Sequence, residues 1–173
     1  LREMRSAFAV VFGMFVSMLI VMMGLNIYVM CQNVNIENKA DTKFAYMYTY
    51  KYPTEKVPEG GEEAFGKMLK KERLGYNLDV TLLGIHDDNP YFDAKVENGK
   101  NKIIISTAVA QKYNVGEGDV FVLNDEETDT KYAFDIVGIA QYSSSLYIFM
   151  NIDSMRELFD ESSDYYNIVF SDK

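Results

Sequence analysis

The sequence predicts an α+β protein: one long apolar helix, then an acidic domain rich in short strands. Three observations carry that prediction. Residues 7–31, AFAVVFGMFVSMLIVMMGLNIYVMC, contain no charge. The rest of the chain alternates apolar and polar residues in short blocks, broken by Gly, Pro, Asn and Asp. Some of those blocks carry a strand period and others a helical one, and the two kinds are interleaved along the chain.

The apolar run comes first. Its 25 residues, at about 1.5 Å each in a helix, are long enough to cross a hydrocarbon core of about 30 Å. Only Ser17 and Asn26 carry clearly polar side chains within it. Arg2 and Arg5 precede it, while Glu37, Lys39 and Asp41 after it nearly cancel. The positive-inside rule then puts the N-terminal flank in the cytoplasm and residues 32–173 outside. A cleaved signal peptide would have a shorter apolar region and a small-residue cleavage site, which 28–30 (YVM) does not supply. A lipid anchor at Cys31 would want small residues before the cysteine, and Met30 is large. A buried globular helix is rarely apolar on every face over this length. Met14, Met18 and Met22 share one face. Gly13 and Ser17 form a small-xxx-small pair, which admits a neighbouring membrane helix and also arises by chance in apolar helices. Asn26 is placed to bond a neighbouring helix or to meet headgroups. Residues 32–41 are expected to continue the helix as a stalk, with Ile27, Met30, Val34 and Lys39 near one face.

The soluble part follows in order. Residues 44–52 alternate cleanly: Phe44, Tyr46, Tyr48, Tyr50 and Tyr52 point one way, and Ala45, Met47, Thr49 and Lys51 the other. This reads as a strand whose tyrosine stripe lies half-buried under a helix, an aromatic binding surface being the lesser reading. Residues 53–61 are a Pro/Gly loop. Residues 62–73 read as an amphipathic helix with Ala64, Phe65, Met68 and Leu69 inward and a basic end that complements the helix dipole. Residues 78–85 are the next strand. The 86–90 turn, HDDNP, pairs a lone His with two Asp, and such a turn is more often solvated loop than metal site. Two further turn signals lie in 91–101. Residues 103–105 are a short buried strand, and Ser106 can cap a helix over 107–113. A tight turn at 115–119, a strand at 120–123, an acidic hairpin loop at 125–129 and a strand at 131–140 come next, the last with Tyr132, Phe134 and Ile136 on one face. Residues 143–145 connect to a strand at 146–150. Asp153 is expected to cap a helix over 154–159, and residues 165–171 close the domain as a strand.

Charge and motif content exclude several functions. The net charge is -9, and removing Arg2, Arg5 and Glu3 leaves about -10 on the outer part. That balance argues against nucleic-acid binding and disfavours adhesion of the domain to anionic lipid. The single cysteine lies at the helix end, so the domain holds no disulfide and no cysteine metal site. An outer domain without disulfides fits bacteria better than animal secretion. Gly116 and Gly118 do not make a phosphate loop, because no Lys-Ser/Thr follows and a strand comes next. The acidic loop lacks the Gly and distant Glu of a calcium hand. With one His, no Gly-x-Ser-x-Gly and acidic residues gathered in turns, no catalytic, cofactor-binding or metal residues are assigned, and an anchored enzyme is the weakest function.

At residues 102–158 the sequence resembles a known family. The stretch KIIISTAVAQKYNVGEGDVFVL, then YAFDIVGIAQ, then LYIFMNIDSMREL, is similar to the extracytoplasmic domain of FtsX-like ABC-transporter permeases, a group that includes the MacB-like permeases of type VII transporters. The family's Gly-x-Gly-Asp turn matches 116–119, its VVGI-like strand matches 136–139, and its Tyr-Ile-aliphatic segment leading into a short helix matches 147–158. A membrane helix with basic residues before it matches the family layout. The resemblance implies a cytoplasmic ABC ATPase as partner, further transmembrane helices in the same multi-pass permease, and ATP-driven movement passed to the outer domain. A peptide, lipid or protein outside the membrane is then the object of that work.

The expected organisation is therefore a transmembrane helix with its cytoplasmic flank at 1–31 and a stalk at 32–41. A split βαβ, ferredoxin-like lobe is expected from 42–101 with 142–173, and a small β-rich inserted lobe at 102–141. Because the first residue is Leu rather than Met, the expectation is a piece of a longer protein. The expected function is a non-catalytic permease segment in the cell membrane; the alternative is the outer sensor domain of a membrane receptor. What flanks the piece separates them, a signalling module favouring the sensor and further spans the permease.

Overall fold

A computed structural model of the chain describes residues 2–52, 56–73 and 76–172. The chain divides into two units, Leu1–Lys39 and Ala40–Lys173.

The first unit is built on helix α1 (Arg2–Asp41). Its stretch Ser6–Ile36 is long and apolar enough to cross a membrane, and none of the apolar window is buried against protein. Two of its polar side chains bond locally. The Ser17 hydroxyl donates to the Gly13 carbonyl at 2.8 Å, and Gln32 donates to the Tyr28 hydroxyl at 3.2 Å. Both are one-turn pairs, so neither needs a partner outside the helix. The backbone stays helical through 32–41, where the stalk was placed.

The second unit holds strands β1 (Tyr46–Thr49), β2 (Gly61–Arg73), β3 (Tyr76–Ile85), β4 (Lys102–Ser106), β5 (Val120–Asp125), β6 (Thr130–Ala140), β7 (Tyr147–Asn151) and β8 (Ile168–Ser171), with helices α2 (Thr107–Tyr113) and α3 (Ile152–Leu158). All eight strands form one sheet in the order β1-β8-β2-β3-β7-β4-β6-β5. A pairing of Lys70 with Asn124 joins β2 to β5 and turns the order from β2 to β5 into a ring. The β3–β7 and β4–β6 pairs are parallel and the others antiparallel. Residues 102–141 thus supply β4, α2, β5 and β6 to the same sheet.

Both faces of the central strands are covered, which is why 103–105 (III) and 148–150 (IFM) are unbroken apolar runs. Ile103, Ile105, Ile148 and Met150 join Phe65, Leu82, Phe121 and Phe134 on one face, under Val109 of α2 and Met155 of α3. Ile104 and Phe149 join Leu83, Phe92 and Phe170 on the other. The turn-rich stretch after β3 helps to cover this second face: Tyr91, Phe92, Ala94 and Val96 are all buried.

Local signals hold from β4 to β6. The Ser106 hydroxyl accepts from the Val109 N–H at 3.3 Å and starts α2, and Asn114, at φ 53°, ends it. Gly118 takes φ 89°, a conformation that favours glycine, in the turn before β5.

Three expectations are corrected. Residues 62–73 are strand β2, not a helix. Phe65 and Leu69 suit a helical stripe, but in the strand they share a face with Lys67 and Lys71, whose ammonium groups lie 4.9 Å from the Phe159 ring and 4.4 Å from the Phe121 ring. Met68, expected inward, is 68% exposed. Pairing with β3 along nearly the whole strand overrides a composition of good helix formers. The strand-helix-strand unit expected over 44–85 is therefore β1 followed by an antiparallel β2–β3 pair. Next, α3 is capped by Asn151, whose side-chain oxygen accepts from the Asp153 and Ser154 N–H groups, both at 3.1 Å, and not by Asp153. Finally, the tyrosine stripe of β1 is not covered by a helix: Tyr46, Tyr48 and Tyr52 are exposed. Part of the 53–61 loop, residues 53–55, lies outside the described residues.

Candidate functional site

Three features of the second unit bring chemistry-bearing side chains together. The first is a cleft of about 580 Å³ beside β2 and the acidic hairpin after β5. Lys67 reaches Asp125 at 3.0 Å and Glu127 at 3.6 Å, and Lys70 reaches Glu126 at 2.6 Å. The Asp125 side chain is almost fully buried. Burial opposes its ionisation, but hydrogen bonds from Lys67 and from the Glu127 N–H, the latter at 3.0 Å, outweigh that and hold its carboxyl below the ordinary Asp range. Burial likewise works against the Lys67 ammonium, and the bond to Asp125 and the field of Glu127 outweigh it, raising its pKa. A lysine held charged is no nucleophile, and its paired carboxylate is no free base. The cleft is an acidic ion-pair cluster, lined also by Asp79 and Glu161, in which Lys67 and Lys70 brace the hairpin against β2.

The second is a buried arginine. Arg156 on α3 donates to Glu63 at 3.0 Å, to Asp153 at 3.1 Å and to the Tyr165 carbonyl at 2.8 Å. His86, from the turn named in the sequence, lies 3.1 Å from the same Glu63 oxygen. That histidine therefore belongs to an ionic network tying α3, β2 and the 86–90 turn. Among the described residues, no group of three or more His, Cys, Asp and Glu is placed to hold a metal.

The third is the face of β1. This strand ends the sheet order and, among the described residues, pairs only with β8. Its anchors are half-buried: the Phe44 ring lies 4.7 Å from Phe170, and Tyr50 makes an edge contact with Tyr166 at 6.3 Å. Between them Tyr46 and Tyr48 stack at 6.2 Å with 53% and 43% of their surfaces exposed. Just before the strand, Asp41 turns inward and accepts from the Ser143 N–H at 2.8 Å and from the Ser143 hydroxyl at 2.7 Å. Of the three features, this open aromatic strand is the one with unfilled contact capacity, and it is the candidate interaction surface. The alternation in 44–52 revealed the stripe; its exposure was not legible, because no local signal says what lies above a strand.

The ionic clusters were missed in the sequence because their members are distant in the chain, Glu63 from Arg156 and Lys67 from Asp125. The side chains of 102–158 that carry the family resemblance serve the fold: Gly118 shapes a turn, Ile136 is core, and Ile148 to Met150 are core.

No family model matches the chain, and no curated protein matches it. Among solved structures, the chain is similar to the extracellular domain of the noncanonic ABC-type transporter YknZ from Gram-positive bacteria, with a TM-score of 0.45 and 14% identity over 72% of this chain and 81% of that one.

Proposed function

We propose that this chain is a segment of an ABC-transporter permease: α1 spans the membrane, and residues 40–173 form a non-catalytic outer domain that receives movement driven by ATP hydrolysis in a cytoplasmic partner. The observation that carries the reading is the resemblance of residues 102–158 to the outer domain of FtsX-like, MacB-like permeases, together with the uncovered apolar helix before it. The matched stretch is contiguous in the fold, running through β4, α2, β5, β6, β7 and α3. The side-chain chemistry supports a mechanical rather than a catalytic role, since Lys67, Lys70 and Arg156 are each engaged by carboxylates. A helix continuous through 32–41 can pass a push or a rotation, where a flexible linker would dissipate it.

Affinity purification of the intact protein from its native membranes in mild detergent tests this reading. The expected result is a co-purifying ATPase subunit with vanadate-sensitive ATP hydrolysis. Recovery of a histidine kinase or other signalling module in its place would overturn it in favour of a receptor sensor.

A further inference from the structure

We propose that the tyrosine face of β1 is a membrane-surface contact, seated in the phosphate and carbonyl zone of the bilayer that α1 crosses; this rests on the membrane-spanning reading above. Four observations converge on that occupant. The first is chain length. Tyr46 lies ten positions beyond Ile36, the end of the apolar stretch. At no more than about 3.6 Å per residue, they keep β1 within about 35 Å of the bilayer surface, whatever the angle of the domain.

The second is side-chain chemistry. Tyr46, Tyr48 and Tyr52 are exposed, and Met47 is 43% exposed on the opposite face of the strand. Tyrosine combines an apolar ring with a hydroxyl, the combination that favours the boundary between acyl chains and headgroups. The third is charge. The outer domain is acidic overall, but the only acidic residue in 41–52 is Asp41, whose carboxylate is buried against Ser143. The charges this segment exposes are Lys43 and Lys51. Repulsion of the domain from anionic lipid is thereby relieved at the strand that follows α1 in the chain, where Lys43 and Lys51, flanking β1 at its two ends, can meet lipid phosphates. The fourth is that β1 is a short edge strand anchored on only one side, by β8. Its outer side is open without disturbing either core cluster.

The chain has no tryptophan, so single-Trp variants of the full chain report position directly. Tyr48→Trp and, as a second probe, Tyr46→Trp are placed in phosphatidylcholine–phosphatidylglycerol vesicles containing lipids brominated high on the acyl chain. Leu19→Trp in α1 reports insertion, and Val122→Trp on β5, which the closing β2–β5 pairing sets three strands from β1, reports a different strand of the same domain. The expected result is loss of emission and a shift to shorter wavelength for the β1 probes and loss for Leu19→Trp, with Val122→Trp unchanged. Quenching of Leu19→Trp without either β1 probe would overturn this inference and leave the membrane span standing. Absence of quenching at all positions would remove the span and this inference with it. Equal quenching of Val122→Trp would assign the contact to the domain at large and not to β1. Disulfide capture between two copies of Tyr48→Cys in a Cys31→Ser background would give the face to a second chain and overturn the proposal.

Discussion

Arg156 and Lys67 show how single residues are held in this domain, and each yields a prediction. Arg156 is nearly fully buried and satisfied by two carboxylates and a carbonyl. Truncating it leaves Glu63 beside His86 without its main partner, and losing one member of a buried pair costs about 3–5 kcal/mol. Arg156→Ala is expected to lower the unfolding free energy measured by urea titration by that order, while Lys100→Ala, at an exposed pair 3.3 Å from Glu157, lowers it by less than about 1 kcal/mol. The Lys67–Asp125 pair yields a pH dependence. Asp125 has a depressed pKa in the fold, so its contribution is present above the ordinary Asp value of about 3.9 and is lost as pH falls through the lower folded value. Lys67 has a raised one, so its contribution is present below about 10.4 and is lost as pH rises past the higher folded value. Lys67→Met removes the strongest bond holding Asp125 ionised. Its carboxyl should then titrate at higher pH, and acid unfolding followed by circular dichroism should begin at higher pH than in the parent.

Among the elements, α3 depends on close approach to β3. A Cβ added at Gly84 would lie 3.1 Å from the Ile152 Cα and 3.0 Å from the Met155 Sδ. The nearer obstacle is a flexible side chain, but the other is backbone, so α3 must shift. Gly84→Ala is expected to cost about 1–3 kcal/mol in thermal or urea unfolding. At the start of the same helix, Asn151→Ala removes the side-chain oxygen that serves two N–H groups and should cost about 1 kcal/mol. Asp153→Ala should cost less at that cap, which separates the observed cap from the one expected at 153. The strand β2 shows why helix-forming composition can mislead. Its lysines lie along aromatic rings and reach Asp125 and the Val122 carbonyl, at 3.0 Å and 2.9 Å, with their charged ends. A pattern with Lys at every second core-facing position looks helical until those partners are known.

For the molecule as a whole, the proposed transmission runs through residues 32–41, the covalent path from α1 into the second unit at this end. Val34→Gly with Asn35→Gly places two glycines inside α1, at about 1 kcal/mol or less each, without touching a residue of the second unit. In the intact transporter this double change is expected to leave surface expression and basal ATPase activity near the parent level and to lower transport-linked output. Unchanged output with correct insertion would argue that α1 does not carry the movement.

How much was legible from residues alone depended on the distance over which each signal acts. The apolar run of 7–31, the cap at Ser106, the turn at 115–119, the acidic hairpin and the strands flanking it are local matters of side-chain period, backbone preference and chain length, and these the sequence by itself determined. The tertiary structure alone decided that 62–73 is a strand, because its partners come from β3, β8 and β5. It alone decided that Tyr91 and Phe92 belong to the core, and that the strands of 102–141 continue one sheet, since burial is set by what arrives from elsewhere in the chain. The candidate site divides the same way. Alternation placed the tyrosines on one side of β1; only the absence of a covering element among the described residues, a matter of the whole fold, left them open to a partner.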